Sequence, residues 1–403
     1  MARFSHAATS VADQDVHAIS DLLVFGEDWG RHPSSTQHLV QRLASDRRVV
    51  WVNSIGLRRP RLSISDGGRI FSKVRAMGLG NPPGQQAGDV REQTSGQNKI
   101  SIVDPIAVPW PGNPVAALVN RALIPRRVKP ALRNCAINRP ILWASLPSAV
   151  DALPAFPEMP VVYYCGDDFG ALEGVDHRPV QRMEERLVEK ADLILAASPR
   201  LAERFPAEKT HCVPHGVDFD LFAREAPRPM DLPLGKVAGF YGSISNWLDQ
   251  RLIAETAALL PDWTFVFIGD IRTDVTILQS CSNIRFMGPR PHNRLPGYSQ
   301  NWTASLLPFL DNEQIRACNP LKLREYLAAG RPVISTDMPA LDGYRDLVSV
   351  VGSAADLAIA LDDAARGARG RAAQWAAYVQ QDRVKTESWV NRAAQVNALL
   401  GKL

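Results

Sequence analysis

The segment from Cys318 to Thr336 combines a small polar loop, a short helix and a strand in an order that suits an anionic ligand. Pro320 fits the first turn of a helix, because its missing N–H would have no helical partner there. Gly330, followed by another proline, predicts the end of that helix. The open N-terminus of a helix attracts anions. We therefore expect the backbone from Asn319 to Leu321, with Lys322 beside it, to bind a charged group.

A second candidate for the same task is the turn at Gly242 and Ser243, which follows a predicted buried strand. Backbone N–H groups of such a turn can stabilise negative charge that develops on a departing group. The alternative is structural: Gly242 permits a tight turn, and Lys322 is a solvated surface lysine. We favour the binding interpretation because both features occur in the same half of the chain.

Two adjacent carboxylates, Asp167 and Asp168, follow the predicted strand Val161–Tyr164. A carboxylate at this position could act as a general base that takes a proton from an attacking hydroxyl group. Aspartate is also a frequent N-cap of a following helix. Both interpretations remain open from the sequence.

The loop Gly26–Pro33 after the first predicted strand, Asp21–Phe25, contains Arg31 and His32. Ligands of parallel sheets bind at the carboxyl ends of the strands, where this loop would lie. Arg31 and His32 are therefore candidates for the phosphate or acceptor side of a site. A solvated arginine is the alternative.

Strands and helices alternate along most of the chain, which predicts an α/β fold of two Rossmann-like domains with parallel sheets facing across a cleft. The exception is the segment from Leu57 to about Lys99, which is rich in Gly, Pro, Ser and Arg and predicts an irregular surface insertion. A length of 403 residues also exceeds what one core usually serves. We place the first domain at 1–213 and the second at 214–375, and expect a helix at 376–403 to pack back on the first. A proline-rich connector at Ala226–Pro233 marks the boundary at which the chain passes from the first domain to the second.

The net charge of +4 conceals an asymmetry between the two halves. Residues 1–150 contain 19 Lys and Arg against 10 Asp and Glu, whereas the remainder contains 27 against 32. The basic stretches at Arg58–Arg61 and Arg121–Arg133 suit an anionic membrane surface. A solvated basic face is equally compatible with them. We expect no nucleic-acid partner, since no recognition motif accompanies the charge.

The five cysteines are odd in number, widely scattered and form no C-x-x-C pair, which favours a reducing compartment. The N-terminus lacks the apolar core of a signal peptide, and no apolar run approaches the length of a membrane span. We expect a cytoplasmic protein, or one bound peripherally to the inner face of the plasma membrane.

Several motifs in this order resemble the GT-B glycosyltransferases, with closest similarity to family 4 and the TuaH-like enzymes of bacterial polysaccharide synthesis. The resemblance extends over most of the chain. The motifs are Tyr163–Phe169, Ala191–Ile194, Ala197–Pro199, His215–Asp218, Tyr241–Ser243 and Pro320–Val333.

The resemblance implies a nucleotide-sugar donor held by the second domain and an acceptor held by the basic first domain. Glu325 matches the second carboxylate of a family pair, the one that contacts the ribose. The first position of that pair falls on Ala317, and the Arg/Lys pair expected after Gly242 is absent. In a GT-B enzyme of xanthan synthesis an aspartate after a similar strand is the base, and Asp168 aligns best with it.

The function implied is transfer of a hexose from a UDP- or GDP-sugar to a saccharide acceptor, often linked to a polyprenyl diphosphate, in exopolysaccharide or cell-surface polysaccharide synthesis. The alternatives are a nucleotide-sugar 2-epimerase of the same fold and a degenerate transferase that serves as a scaffold. A dehydrogenase is disfavoured, because no G-x-G-x-x-G follows the first strand.

We expect no cofactor and no metal ion. Asp218 and Asp220 form an Asp-x-Asp pattern, but it lies in the crossing between the domains. Pro214 separates His211 from His215 and argues against a helical zinc pair.

Overall fold

The computed structural model describes residues 20–30, 34–57, 91–95, 98–172, 175–367 and 370–403. This part of the chain contains two sheets with helices packed against them. The predicted α/β class and the two Rossmann-like parallel sheets are confirmed.

The first sheet has eight strands in the order β3-β4-β2-β1-β5-β6-β7-β8, and all neighbours are parallel except the β3–β4 pair at the edge. The order reverses between β1 and β5, so the loops after β1 and β6 emerge on the same edge on either side of β5. The strands are β1 Leu22–Phe25, β2 Val49–Val52, β3 Arg91–Ser95, β4 Asn98–Val103, β5 Ile141–Ala144, β6 Val161–Cys165, β7 Leu193–Ala196 and β8 Thr210–Cys212.

The second sheet has six parallel strands in the order β11-β10-β9-β12-β13-β14. Its order reverses between β9 and β12, which makes the carboxyl end of β9 a switch point of the kind that binds ligands. The strands are β9 Lys236–Tyr241, β10 Trp263–Ile268, β11 Ile284–Phe286, β12 Ala304–Leu307, β13 Val333–Thr336 and β14 Val348–Val351.

The α-helices connect these strands or extend beyond them. They are α1 Ser35–Leu43, α2 Pro114–Asn134, α3 His177–Lys190, α4 Pro199–Ala202, α5 Phe219–Ala223, α6 Gln250–Leu259, α7 Thr276–Gln279, α8 Leu295–Ser299, α9 Glu313–Ala317, α10 Leu321–Ala329, α11 Ala354–Gly367, α12 Arg371–Lys385 and α13 Trp389–Leu400. Short 3-10 helices lie at Pro147–Asp151, Leu153–Ala155, Ala207–Lys209, His292–Arg294 and Pro339–Leu341.

The central strands β1, β2, β5, β6 and β7 are buried along their whole length and consist almost entirely of apolar residues, as expected for parallel strands covered on both faces. Alternate side chains of β1 enter different cores: Leu22 and Val24 pack in one cluster with Trp143, and Leu23 packs in the other with Tyr163. The strands are held rigidly in this way, so the loops at their carboxyl ends start from fixed positions.

The C-terminal segment divides into two helices with different partners. Helix α12 packs on α10, whereas α13 packs on α1 beside the first sheet. The chain crosses between the sheets twice, and the crossings pair where the Val217 N–H donates to the Glu387 carbonyl at 3.0 Å. A Cβ atom on Gly216 would lie 2.8 Å from Trp389. The domain boundaries at 213/214 and 375/376 stay a prediction.

One segment differs from the sequence expectation. The region from Leu57 to Lys99, expected to be an irregular insertion, contains strand β3; its residues 58–90 lie outside the described part of the chain. The basic stretch Arg121–Arg133, for which the sequence predicted no particular element, lies in the long helix α2. Among the helices of the described residues, none is long and apolar enough to cross a membrane.

Candidate active site

A cavity of about 430 Å³ lies between the carboxyl edges of the two sheets. Ligands of parallel sheets bind at these edges, and here two of them face each other. We call the side formed by the first sheet the N-wall and the side formed by the second sheet the C-wall. The N-wall contains Glu27, Ser34, Ser35, Thr36, Ser145, Tyr164, Asp167 and His215, and the C-wall contains Trp247, Phe309, Cys318, Asn319, Pro320, Leu321 and Lys322.

A larger cavity of about 800 Å³ lies along α12, behind α10. Its lining is rich in alanine and glutamine, and it reaches β13 at Val333, the amino-terminal end of that strand. Because this is the opposite edge from the carboxyl ends of the strands, we assign the chemistry to the smaller cavity.

Helix α10 presents its N-terminus to the cavity. Pro320 is the N-cap residue with extended backbone angles, and Gly330 ends the helix with φ 71°. The helix therefore begins one residue later than predicted, since Pro320 precedes its first turn, and it ends at the predicted glycine. Since Pro320 and Leu321 line the cavity, the first-turn N–H groups and the helix dipole are available to an anion there.

Lys322 lies over the Gly242 turn at the same wall. Its Nζ atom is 5.8 Å from the ring centroid of Phe240 and 5.9 Å from that of Trp247. Burial lowers the pKa of Lys322, while the nearby acidic groups oppose this shift. A lysine that is buried and pre-positioned in this way is suited to neutralise a diphosphate.

Gly242 is required by this arrangement for two reasons. Its φ of 132° is one that only glycine adopts readily, and a Cβ atom there would lie 2.1 Å from Cε of Lys322. The structure thus brings together Gly242 and Lys322, which the sequence singled out separately. Ser243 follows in the same turn and is half-buried.

Glu325 is buried on α10 and accepts a hydrogen bond from His292, with 2.8 Å between Oε1 and Nε2. Burial acts to raise the pKa of Glu325, but the bond and charge of His292 outweigh it, so the net pKa is lowered. Burial also acts to lower the pKa of His292, and Glu325 overcomes it and raises that pKa. The pair of Glu325 and His292 therefore favours its ionised form, and the Glu325 carboxylate can accept hydrogen bonds from hydroxyl groups.

His292 was not predicted from the sequence. It lies beyond the end of β11, in a 3-10 turn whose position beside α10 depends on how the second sheet assembles. The available signal was its place in a loop after a strand, which many residues share.

Asn319 and Ala317 connect the two walls of the cavity, because their polar groups form hydrogen bonds across this junction. The Asn319 side chain donates to the Ala197 carbonyl at 2.6 Å and accepts from Arg324 at 2.5 Å. Ser198 donates to the Ala317 carbonyl at 2.9 Å. Ala317 also packs in the apolar core of the first sheet. The position of the missing carboxylate therefore serves contact between the two halves.

The adjacent carboxylates Asp167 and Asp168 have different environments. Asp167 lines the cavity, and burial, followed by the charge of Asp168, raises the pKa of Asp167 to about 6. Asp168 accepts hydrogen bonds from Arg204 at 2.7 Å and from the Gly170 N–H at 2.9 Å. Its contacts are those of a structural carboxylate, so the geometry favours Asp167 as the group that reaches a substrate.

Glu27 is a second carboxylate of the N-wall that the sequence analysis passed over. The loop that contains Glu27 was predicted to face the cleft, but the candidate site residues predicted in that loop were Arg31 and His32. Both residues lie outside the described part of the chain. Glu27 accepts hydrogen bonds from Ser34 and Gln37. Burial raises the pKa of Glu27 to about 7.

His38, Asp218 and His292 lie close together beside Glu325, and their ligand-type atoms are all within 4.8 Å of one another. Asp218 pairs with Arg42 and lies 3.5 Å from His38. Since Arg42 and Glu325 already pair with members of the cluster, we interpret it as an ion network between the halves. The absence of a metal stays a prediction.

Comparison with known proteins agrees with this geometry at two levels. The fold is that of the GT-B glycosyltransferases: it superimposes on Anabaena HepE in complex with UDP-glucose (TM-score 0.65, 13% identity, 95% of this chain and 100% of the other). It also superimposes on the sucrose-phosphate synthase of Thermosynechococcus elongatus (TM-score 0.68, 14% identity, 95% and 98%).

Residues 235–366 match the model of the family Glycosyl transferases group 1. The chain is 30% identical over 225 residues to the putative teichuronic acid biosynthesis glycosyltransferase TuaH of Bacillus subtilis (strain 168). That match covers 50% of this chain and 57% of TuaH, so the chain spans little more than half the length of this relative.

Proposed function

We propose that this protein transfers a sugar from a UDP- or GDP-sugar to a saccharide acceptor. The observation that carries the proposal is the two-walled cavity, in which Lys322 and the N-terminus of α10 face Asp167. One wall offers positive charge and N–H groups, and the other offers a base. Residues 214–375 would serve the donor, and residues 1–213 with the terminal helix would serve the acceptor.

The C-wall has the groups that a nucleoside diphosphate requires. The diphosphate would lie at the N-terminus of α10 against Lys322, because negative charge grows on it as the glycosidic bond breaks. Glu325, held by His292, would accept hydrogen bonds from the ribose hydroxyl groups. HepE has the same fold, and its structure contains UDP-glucose, although its sequence is only 13% identical to that of this chain. That likeness supports a nucleotide-sugar donor for this chain.

Asp167 would act as the base. In the reaction the acceptor oxygen forms a bond to the anomeric carbon, and the bond from that carbon to the diphosphate oxygen breaks. The proton of the acceptor hydroxyl moves to the Asp167 carboxylate, and the bond electrons leave with the nucleoside diphosphate. Enclosure between two walls limits the access of water, which would otherwise hydrolyse the donor.

The acceptor is proposed to be a lipid-linked saccharide of cell-surface or exopolysaccharide synthesis, and the protein to bind the membrane peripherally. The name of TuaH supports a cell-surface polymer. Helix α2 supports the membrane contact: Val115 and Leu118 are 70% and 69% exposed, and Arg126, Lys129 and Arg133 continue the same exposed stripe. Apolar and basic groups together suit anionic lipid.

Donor binding tests this proposal directly. Lys322→Ala should weaken the affinity for a UDP- or GDP-sugar by about tenfold or more, since a charge-assisted contact contributes about 1.5–3 kcal/mol. Isothermal titration calorimetry measures it. The matched control is Lys236→Ala, which removes an exposed lysine paired with Asp262 at the opposite end of β9.

Equal affinity of the wild type and Lys322→Ala would reject the assigned donor site. Conversion of the donor into an isomeric nucleotide sugar without any acceptor would select the 2-epimerase alternative instead.

A further inference from the structure

The N-wall extends from Asp167 across the carboxyl ends of β5 and β1, where several hydroxyl side chains line the same cavity as Glu27. These residues are Ser34, Ser35, Thr36 and Ser145, and all of them line the cavity. The proposed transfer uses Asp167 but leaves this region without a role. A carboxyl group among hydroxyls is chemistry that recognises a polyhydroxylated ligand, because each group can accept or donate a hydrogen bond.

The backbone around Glu27 is fixed from below. The indole N–H of Trp51 donates to the Glu27 carbonyl at 3.0 Å. A Cβ atom on Gly26 would lie 2.3 Å from the Trp51 ring, so the chain can pass over the indole only as glycine. The neighbouring Trp29 packs edge-on against Trp51, with 4.7 Å between ring centroids. The side chain of Glu27 therefore starts from a rigid base.

The Glu27 carboxyl group is also oriented by its neighbours. Both Ser34 and Gln37 donate to the same oxygen, Oε1. Ser34 is at the same time the N-cap of α1 and accepts from the Gln37 N–H at 3.1 Å. A carboxyl group held on one oxygen by a helix cap is presented in a single orientation, which suits a positioning role.

The hydroxyls of the adjoining strand are arranged in a similar way. Ser145 Oγ accepts from the Trp143 indole N–H at 2.9 Å and lies 2.9 Å from Thr36 Oγ1. Trp143 is fully buried, so Ser145 is anchored from the core side. The hydroxyl pair Thr36–Ser145 thus lines the cavity from a fixed position on the same wall as Glu27.

We propose that Glu27, with Thr36 and Ser145, forms the acceptor subsite and binds hydroxyl groups of the acceptor sugar beside the one that reacts at Asp167. This inference rests on the proposed function and adds the class of acceptor, a pyranose with a vicinal diol. Glu27 is a positioning residue here, and Asp167 keeps the proton transfer.

The charges of the site support this division. The carboxyl groups of Asp167 and Glu27 interact electrostatically, since the charge of Asp167 acts to raise the pKa of Glu27. Lys322 acts on Asp167 in the opposite direction and favours its ionised form. The carboxyl group of Glu27, with a pKa of about 7, can both donate a hydrogen bond to a sugar hydroxyl and accept one near neutral pH.

The test separates the acceptor from the donor. Transfer from UDP-glucose to polyprenyl-diphosphate-linked N-acetylglucosamine is measured for Glu27→Ala, Glu27→Gln and Thr36→Val, together with the affinity for UDP-glucose and the slow hydrolysis of this donor in water. We expect Glu27→Ala to raise the acceptor KM at least tenfold and Glu27→Gln to raise it less. The donor Kd and the hydrolysis rate should stay within twofold of the wild type.

The matched control is Asp28→Asn, which removes the neighbouring exposed carboxylate. An unchanged acceptor KM in Glu27→Ala would overturn the subsite, as would a loss of donor affinity equal to the rise in KM. A merely structural role would lower the melting temperature and affect hydrolysis and transfer alike. Failure of the wild type to bind any nucleotide sugar would instead reject the proposed function, and the subsite with it.

Discussion

Asp167 and Asp168 show how strongly the environment decides the chemistry of a side chain. The two residues follow the same strand, yet Asp167 lines the cavity and Asp168 pairs with Arg204. Loss of hydration favours the neutral form of a carboxyl group, which is the direction of the pKa shift at Asp167. A base must be ionised before it can accept a proton, so the raised pKa of Asp167 has a consequence for activity.

The turnover rate should therefore increase with pH through a midpoint near 6, because Asp167, with a pKa of about 6, is protonated below that pH. Asp167→Asn should lower kcat by about 100-fold or more and remove this dependence. Asp168→Asn should retain most of the rate and shift the midpoint to lower pH, since the charge of Asp168 raises the pKa of Asp167. The pH–rate profile of all three proteins measures this.

The opposite result, in which Asp168→Asn abolishes turnover while Asp167→Asn does not, would assign the base to Asp168.

At this scale the sequence identifies residues whose function depends on their own element. Lys322 and Gly242 each belong to a local motif, a helix start and a turn, and both could be predicted. Glu27 and His292 could not, because the role of each depends on a residue of another element: Ser145 after β5, which lines the same cavity as Glu27, and Glu325 of α10, which pairs with His292. Spacing along the chain carries no record of such contacts.

Helix α10 and helix α2 are the elements that bear most of the proposed function. The bounds of α10 were predictable, since proline and glycine set them through backbone geometry. The helix α2 was harder to predict because it contains Pro125 and Pro130, which normally interrupt a helix. Its exposed stripe emerges only when the segment is wound as a helix.

Exchanging the three basic residues of that stripe for glutamate, at Arg126, Lys129 and Arg133, should weaken binding to anionic vesicles by about 100-fold or more. Each cation near an anionic surface contributes about 1 kcal/mol. Flotation with phosphatidylglycerol vesicles measures the effect, and phosphatidylcholine vesicles provide the neutral reference.

The control for the stripe changes the same charge elsewhere, with glutamate at the exposed residues Arg251, Arg285 and Arg366. If both triple variants lose vesicle binding equally, net charge and not α2 is responsible, and the proposed membrane contact is wrong.

Across the whole molecule, two sheets meet at their carboxyl edges and are connected by paired crossings. The fold was largely predictable, because buried parallel strands are continuous apolar runs and the helices between them begin and end at recognisable residues. The relative placement of the sheets was not. It depends on contacts such as Ser198 with Ala317 and Arg42 with Asp218, which join distant parts of the chain.

The central claim is that the nucleotide sugar binds on α10 opposite Asp167. A crystal structure of the protein with a UDP- or GDP-sugar tests it most directly. We expect the diphosphate beside Lys322 and the first turn of α10, the ribose on Glu325, and the sugar directed toward Asp167. A nucleotide bound outside this cavity, for example in the larger one along α12, would contradict the account.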